Sequence, residues 1–103
     1  MEEKKTIKPD LTDCKYLSEL HERIRVAFDF PEWYGANLDA FDDLIGTECD
    51  ADEVIIFGSY SLPEELKKYL LKLTEILDDV VRKRKRYSDL YDHVKPFSYR
   101  IEN

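Results

Sequence analysis

The chain has 103 residues and a formal net charge of −7, with 38% charged and 43% hydrophobic residues. This length suits one domain, expected over residues 1–103, and the apolar share is enough for a core, which excludes a disordered polyanion. No apolar run is long enough to span a membrane, and the charged start Met1-Glu2-Glu3-Lys4-Lys5 is followed by none, so the expectation is a cytoplasmic protein with no membrane partner. Cys14 and Cys49 are too few for a disulfide framework and read as reduced thiols.

Thr6-Ile7-Lys8 is a short strand candidate, closed by Pro9-Asp10. Thr12 or Asp13 is placed to cap the next element. From Tyr16 to Phe28 the apolar residues Leu17, Leu20, Ile24, Ala27 and Phe28 recur at helical spacing. Glu19 and Arg23 lie four apart in the favourable order for an ion pair on the outer face. Asp29-Phe30-Pro31 ends this helix, because a residue before proline avoids the α region.

The most informative stretch is Pro31-Glu32-Trp33-Tyr34-Gly35-Ala36-Asn37-Leu38-Asp39-Ala40-Phe41-Asp42-Asp43-Leu44. Gly35 offers backbone freedom to the loop. Asn37 is a good N-cap for a helix running to about Ile45, with Gly46 placed to stop it. At helical geometry Asp39, Asp42 and Asp43 fall within an arc of about 100°, while Leu38, Phe41, Leu44 and Ile45 take the other side. Trp33 and Tyr34, expected to be exposed beside the carboxylates, supply an aromatic anchor typical of interfaces.

Residues 47–52 form a polar loop. Glu53-Val54-Ile55-Ile56-Phe57 reads as a buried strand, and Gly58-Ser59-Tyr60 as a turn. Ser61-Leu62-Pro63-Glu64 has the form of a capping box. Leu66, Tyr69, Leu70, Leu73, Ile76, Leu77 and Val80 then hold one helix face for four turns. Tyr87, Leu90, Tyr91 and Val94 have the spacing of one more short helix, stopped by Pro96. Whether residues 61–86 make one helix or two is open. Phe97, Tyr99 and Ile101 alternate with polar residues as a half-buried strand.

Strands separated by helices favour right-handed crossovers and a parallel sheet. The predicted fold is therefore α/β and two-layered: a three-stranded parallel sheet in order 1-2-3, with helices mainly on one face.

Charge is unevenly spread. Arg82-Lys83-Arg84-Lys85-Arg86 holds five basic residues, and the remaining 11 basic and 23 acidic residues leave the rest of the chain at −12. An acidic body repels nucleic acid and favours basic protein partners. The basic run reads as a helix terminus whose cations complement the macrodipole. Glu48 to Glu53 lacks the glycine and ligand register of a calcium loop, so no metal is expected. His21 reads as structural and His93 as a loop residue. Neither has the neighbours of a catalytic group, there is no Gly-rich phosphate loop, and neither an enzyme nor a cofactor is expected.

The stretch Pro31–Ala40, followed by acidic residues, resembles the barstar family of intracellular ribonuclease inhibitors, with Trp33 where the family has tyrosine or tryptophan. The resemblance implies a fold of the kind just described. It implies that Trp33, Tyr34, Gly35, Asn37, Leu38, Asp39 and Asp43 face a basic ribonuclease in a 1:1 complex, with Asp39 and Asp43 pairing with its catalytic-site cations. Asp42 stands where the best-known member has a tryptophan, which adds charge to the same surface and implies a different target. Asp79 matches a further acidic contact on the last long helix, with Asp78 close to it. On its own an acidic helix face is most often solvated surface. The other reading is an interaction module of the same fold whose basic partner is not a nuclease.

Overall fold

A computed structural model describes residues 5–47, 51–91 and 96–102. The loop carboxylate and thiol at Glu48 and Cys49, His93, and Val94 lie outside the described residues. The elements are β1 (Thr6–Ile7), α1 (Leu17–Phe28), α2 (Leu38–Thr47), β2 (Glu53–Phe57), a 3-10 turn (Ser59–Ser61), α3 (Glu64–Leu90) and β3 (Ser98–Glu102). The three strands form one parallel sheet in the order β1-β2-β3. Fold class and strand order are as the sequence implies.

β2 is central because it has the most apolar strand sequence. Val54 and Ile56 point into the core formed with Leu20, Ile24 and Phe28 of α1, Phe41, Leu44 and Ile45 of α2, and Leu66, Leu70, Leu73 and Leu77 of α3. Ile55 points to the opposite face and is also buried. It lies opposite Arg100 in the register, and Arg100 reaches Glu102 at 2.8 Å and Glu53 at 3.8 Å. Helices thus cover one face of the sheet, and on the other Arg100 lies beside Ile55 with its ion pairs to Glu53 and Glu102.

β1 is short because Pro9 contributes no N–H to a ladder. The chain nonetheless stays beside β2: Phe57 donates its N–H to the Pro9 carbonyl at 2.9 Å, and Leu11 donates to the Phe57 carbonyl at 2.8 Å. Gly58 then turns in the left-handed region with φ 79°. A Cβ there would lie 2.3–2.8 Å from Thr12 atoms, two of them backbone. The loop before α1 is therefore packed directly against the exit of β2.

Several local expectations are corrected. Neither Thr12 nor Asp13 caps α1; the Thr12 amide and hydroxyl both donate to Asp10, and Tyr16 occupies the cap position without a side-chain bond. Glu19 and Arg23 do not pair. Glu19 accepts from the Lys15 amide, Arg23 donates to the Asp10 carbonyl, and the ion pair on this helix is Arg25–Glu22. At the C-terminus of α1, Asp29 takes the left-handed conformation, and the Phe30 and Asp29 amides return to the carbonyls of Arg25 and Val26. This is a Schellman motif, with aspartate in place of the usual glycine. α2 runs one residue past Gly46.

The capping box before α3 does not form. Ser61 donates to the Gly58 carbonyl and accepts from the Asp13 amide, so its hydroxyl serves the turn and Pro63 takes the cap position. α3 is one helix of 27 residues. At about 1.5 Å per residue it spans about 40 Å, comparable to the longest dimension of the molecule, 42 Å. The separate helix read around Tyr87 is its last part. The basic run accordingly lies inside the helix, and no basic residue occupies its last turn.

Candidate protein-interaction site

The site is built on the start of α2. Asn37 caps it as expected: its side-chain oxygen accepts the Ala40 amide at 2.8 Å, and its carbonyl accepts the Phe41 amide at 3.0 Å. The Asn37 amide group also donates to the Gly35 carbonyl at 3.3 Å, tying the loop to the cap. The left-handed residue here is Ala36, with φ 53°, not Gly35. Gly35 matters for space, since a Cβ on it would approach the Ala40 Cβ to 3.2 Å.

Phe41, Leu44 and Ile45 are buried, while Asp39, Asp42 and Asp43 are all exposed. Three carboxylates are thus displayed on a helix whose opposite side is fixed in the core. Side chains so mounted are held in position without ordering a loop.

The two aromatics part company. Trp33 is 74% exposed, but Tyr34 is only 8% exposed, which corrects the expectation that both face solvent. The Tyr34 ring packs at 5.2 Å from Phe30, and its hydroxyl lies 2.7 Å from Nδ1 of His21. On the other side of the imidazole, Nε2 lies 2.7 Å from the hydroxyl of Tyr69 on α3. A neutral histidine carries one N–H, so it donates to one tyrosine and accepts from the other. Burial holds the His21 pKa below its ordinary value and raises those of Tyr34 and Tyr69. His21 is structural, and its structural task is to fasten the loop that presents Trp33. Residue spacing gave no signal for this, since the three rings come from α1, the loop and α3.

Beside α2 runs α3. A groove of about 360 Å³ between them is lined by Leu38, Asp42, Lys72, Glu75, Ile76 and Asp79. The structure therefore brings Asp79 to the same surface as Asp42 and Leu38. Asp78, one residue away, turns elsewhere: Tyr99 of β3 donates its hydroxyl to it at 2.6 Å. Burial, reinforced by that carboxylate, raises the Tyr99 pKa to about 12. Lys72 and Glu75 were not singled out from the sequence and Ile76 was read only as part of the apolar helix face, although Glu75 precedes Asp79 by one turn and shares its face.

Asp79 is paired with Lys83 at 2.9 Å and Arg82 at 3.4 Å. The Lys83 hydrogen bond holds its carboxyl below the usual carboxylate range, helped by Arg82. The Lys83 ammonium is stabilised in return, by Asp79 first and by the more distant Asp42. A second cleft, of about 380 Å³, places Lys83, Arg84 and Tyr87 opposite Asp42 and Asp43.

Among the described residues no group of three or more His, Cys, Asp or Glu side chains is placed to hold a metal ion, and no helix is long and apolar enough to cross a membrane. Cys14 is fully buried, and that burial raises its thiol pKa, which keeps it protonated and unreactive.

A two-layer α/β protein that shows an acidic, core-anchored helix beside an exposed tryptophan is the class defined by fold and surface together. The chain belongs to the barstar family: the family model described as Barstar (barnase inhibitor) matches residues 5–94. Members of this family are inhibitors, not enzymes. No curated protein and no solved structure matches the chain significantly.

Proposed function

We propose that this protein inhibits a basic ribonuclease by inserting α2 and the Trp33 loop into the nuclease active site as a 1:1 complex. The observation that carries this reading is the mounting of Asp39, Asp42 and Asp43: exposed, on a capped helix, with the other helix face buried. A ribonuclease groove binds phosphates with cations, and fixed carboxylates satisfy the same cations while excluding RNA. Trp33 supplies apolar contact next to the charges. Asp79 and Leu38 extend the surface across the groove toward α3. Such an inhibitor acts in the cytoplasm, as an immunity protein or antitoxin that protects the cell from a toxic nuclease.

The test is titration against barnase and a panel of other basic ribonucleases. A stoichiometric loss of RNA cleavage is expected with at least one of them. Asp39→Ala is expected to weaken inhibition by about 2–5 kcal/mol, the range for truncating one member of a buried charge pair, a scale set largely by the barnase–barstar complex itself. It should change the stability of the free protein by only a few tenths of a kcal/mol, because Asp39 is exposed. Binding to an unrelated basic protein with no inhibition of any nuclease would favour the interaction-module reading. Marked destabilisation by Asp39→Ala would count against an interface role.

A further inference from the structure

The basic run has no part in the proposed inhibition, yet it touches the surface that inhibition would use. Arg82 and Lys83 lie one turn beyond Asp79 on α3, and both contact its carboxylate, at 3.4 and 2.9 Å. Their side chains are 73% and 67% exposed, so these pairs are weak and easily exchanged. Lys83 also lines the cleft that contains Asp42 and Asp43. In the free protein it lies where the carboxylates of α2 and α3 converge and repel one another. A partner cation reaching Asp79 meets a carboxylate whose two oxygens are already engaged by Lys83 and Arg82.

We propose that Lys83, assisted by Arg82, is a tethered counter-ion: it screens the acidic surface when the protein is free and competes with the partner's cations for Asp79. The proposal rests on the inhibitor reading only in taking the partner to be cationic. Lys83 then sets affinity without contacting the partner.

The full chain is tested with a nona-arginine peptide at low salt, comparing Lys83→Met with Lys85→Met. Both variants remove one positive charge, but Lys85 lies about 200° around the helix from Lys83. Lys83→Met is expected to bind the peptide about two- to fivefold tighter, and Lys85→Met to change binding less than about 1.5-fold. The gain should be mostly lost when Asp79→Asn is added to Lys83→Met. Equal gains in the two single variants, or a gain undiminished by Asp79→Asn, would overturn the proposal by showing only a net-charge effect. A carboxyl-carbon NMR titration gives an independent reading: the Asp79 pKa should rise in Lys83→Met and stay put in Lys85→Met, and an unmoved Asp79 in both would also overturn it. Neither measurement uses a nuclease. Failure to inhibit any ribonuclease leaves these outcomes intact, and their failure leaves inhibition untouched.

Discussion

At the scale of single residues, His21 shows how a buried polar group serves a surface. Its imidazole is 1% exposed and bonded at both nitrogens by tyrosine hydroxyls. Burial favours the neutral form, so the folded-state pKa lies below the ordinary 6.5. Below that value the unfolded chain binds a proton that the folded chain refuses. The histidine's contribution is therefore fully present above about pH 6.5 and is lost as pH falls toward the folded pKa, at up to about 1.4 kcal/mol per pH unit. Urea midpoints should drop between about pH 7 and 5, and His21→Gln should flatten that drop. Asp10, Glu22 and Asp79, whose pKa values are lowered, act only in a more acidic range and do not confuse the measurement. Gly58 is the other decisive residue. Alanine there pays for a left-handed backbone and also displaces the Thr12 backbone, so Gly58→Ala should cost about 3 kcal/mol or more in denaturant unfolding.

At the scale of elements, α2 depends on its cap more than on its length. It has only ten residues, two of which are poor helix formers near its end, Gly46 and Thr47. Asn37→Ala should cost about 1 kcal/mol of stability, whereas Asn37→Gly should cost only a few tenths, as measured by chemical denaturation. The cap also holds Gly35 and so helps fix the loop that carries Trp33. α3 makes a different point. No proline or glycine occurs between Glu64 and Leu90, so nothing local ends the helix, although its buried positions stop at Leu77. Past Leu77, Val80 and Val81 still pack against the core from the edge and Arg84 lies 5.8 Å over the Phe97 ring; the last turns continue on propensity and ion pairs, with Tyr87 and Tyr91 stacked near the end at 6.5 Å.

At the scale of the molecule, charge of one sign dominates while five cations sit together on one helix. In the proposed inhibition, the net charge of −7 would steer a basic partner inward, and the display of Asp39, Asp42 and Asp43 would orient it. The association rate with an inhibited ribonuclease should fall by at least about tenfold as ionic strength rises from about 0.01 M to about 1 M, where the screening length shrinks from about 30 Å to about 3 Å. Stopped-flow mixing measures it, and a rate indifferent to salt would contradict steering.

Sequence patterns sufficed wherever near neighbours decide the outcome. The apolar run of β2, the periodicity of α1, the Asn37 cap and the outward arc of aspartates are all set by residues within a turn or two, and each was legible in the letters. The parallel order followed too, because right-handed crossovers on one face leave few alternatives. Tertiary structure decided what depends on distant partners. Tyr34 is buried because His21 and Tyr69 come together to satisfy its hydroxyl, and Ser61 leaves its capping role because Asp13 and Gly58 compete for it. The left-handed residue of the loop is Ala36, while Gly35 serves a close approach to Ala40 that comes from the fold of the loop onto α2. Asp79 and Asp42 share a groove only because α2 and α3 lie side by side. Chain spacing carries the periodicity of one element, whereas the contact between two elements is chosen by packing, and packing cannot be read one segment at a time.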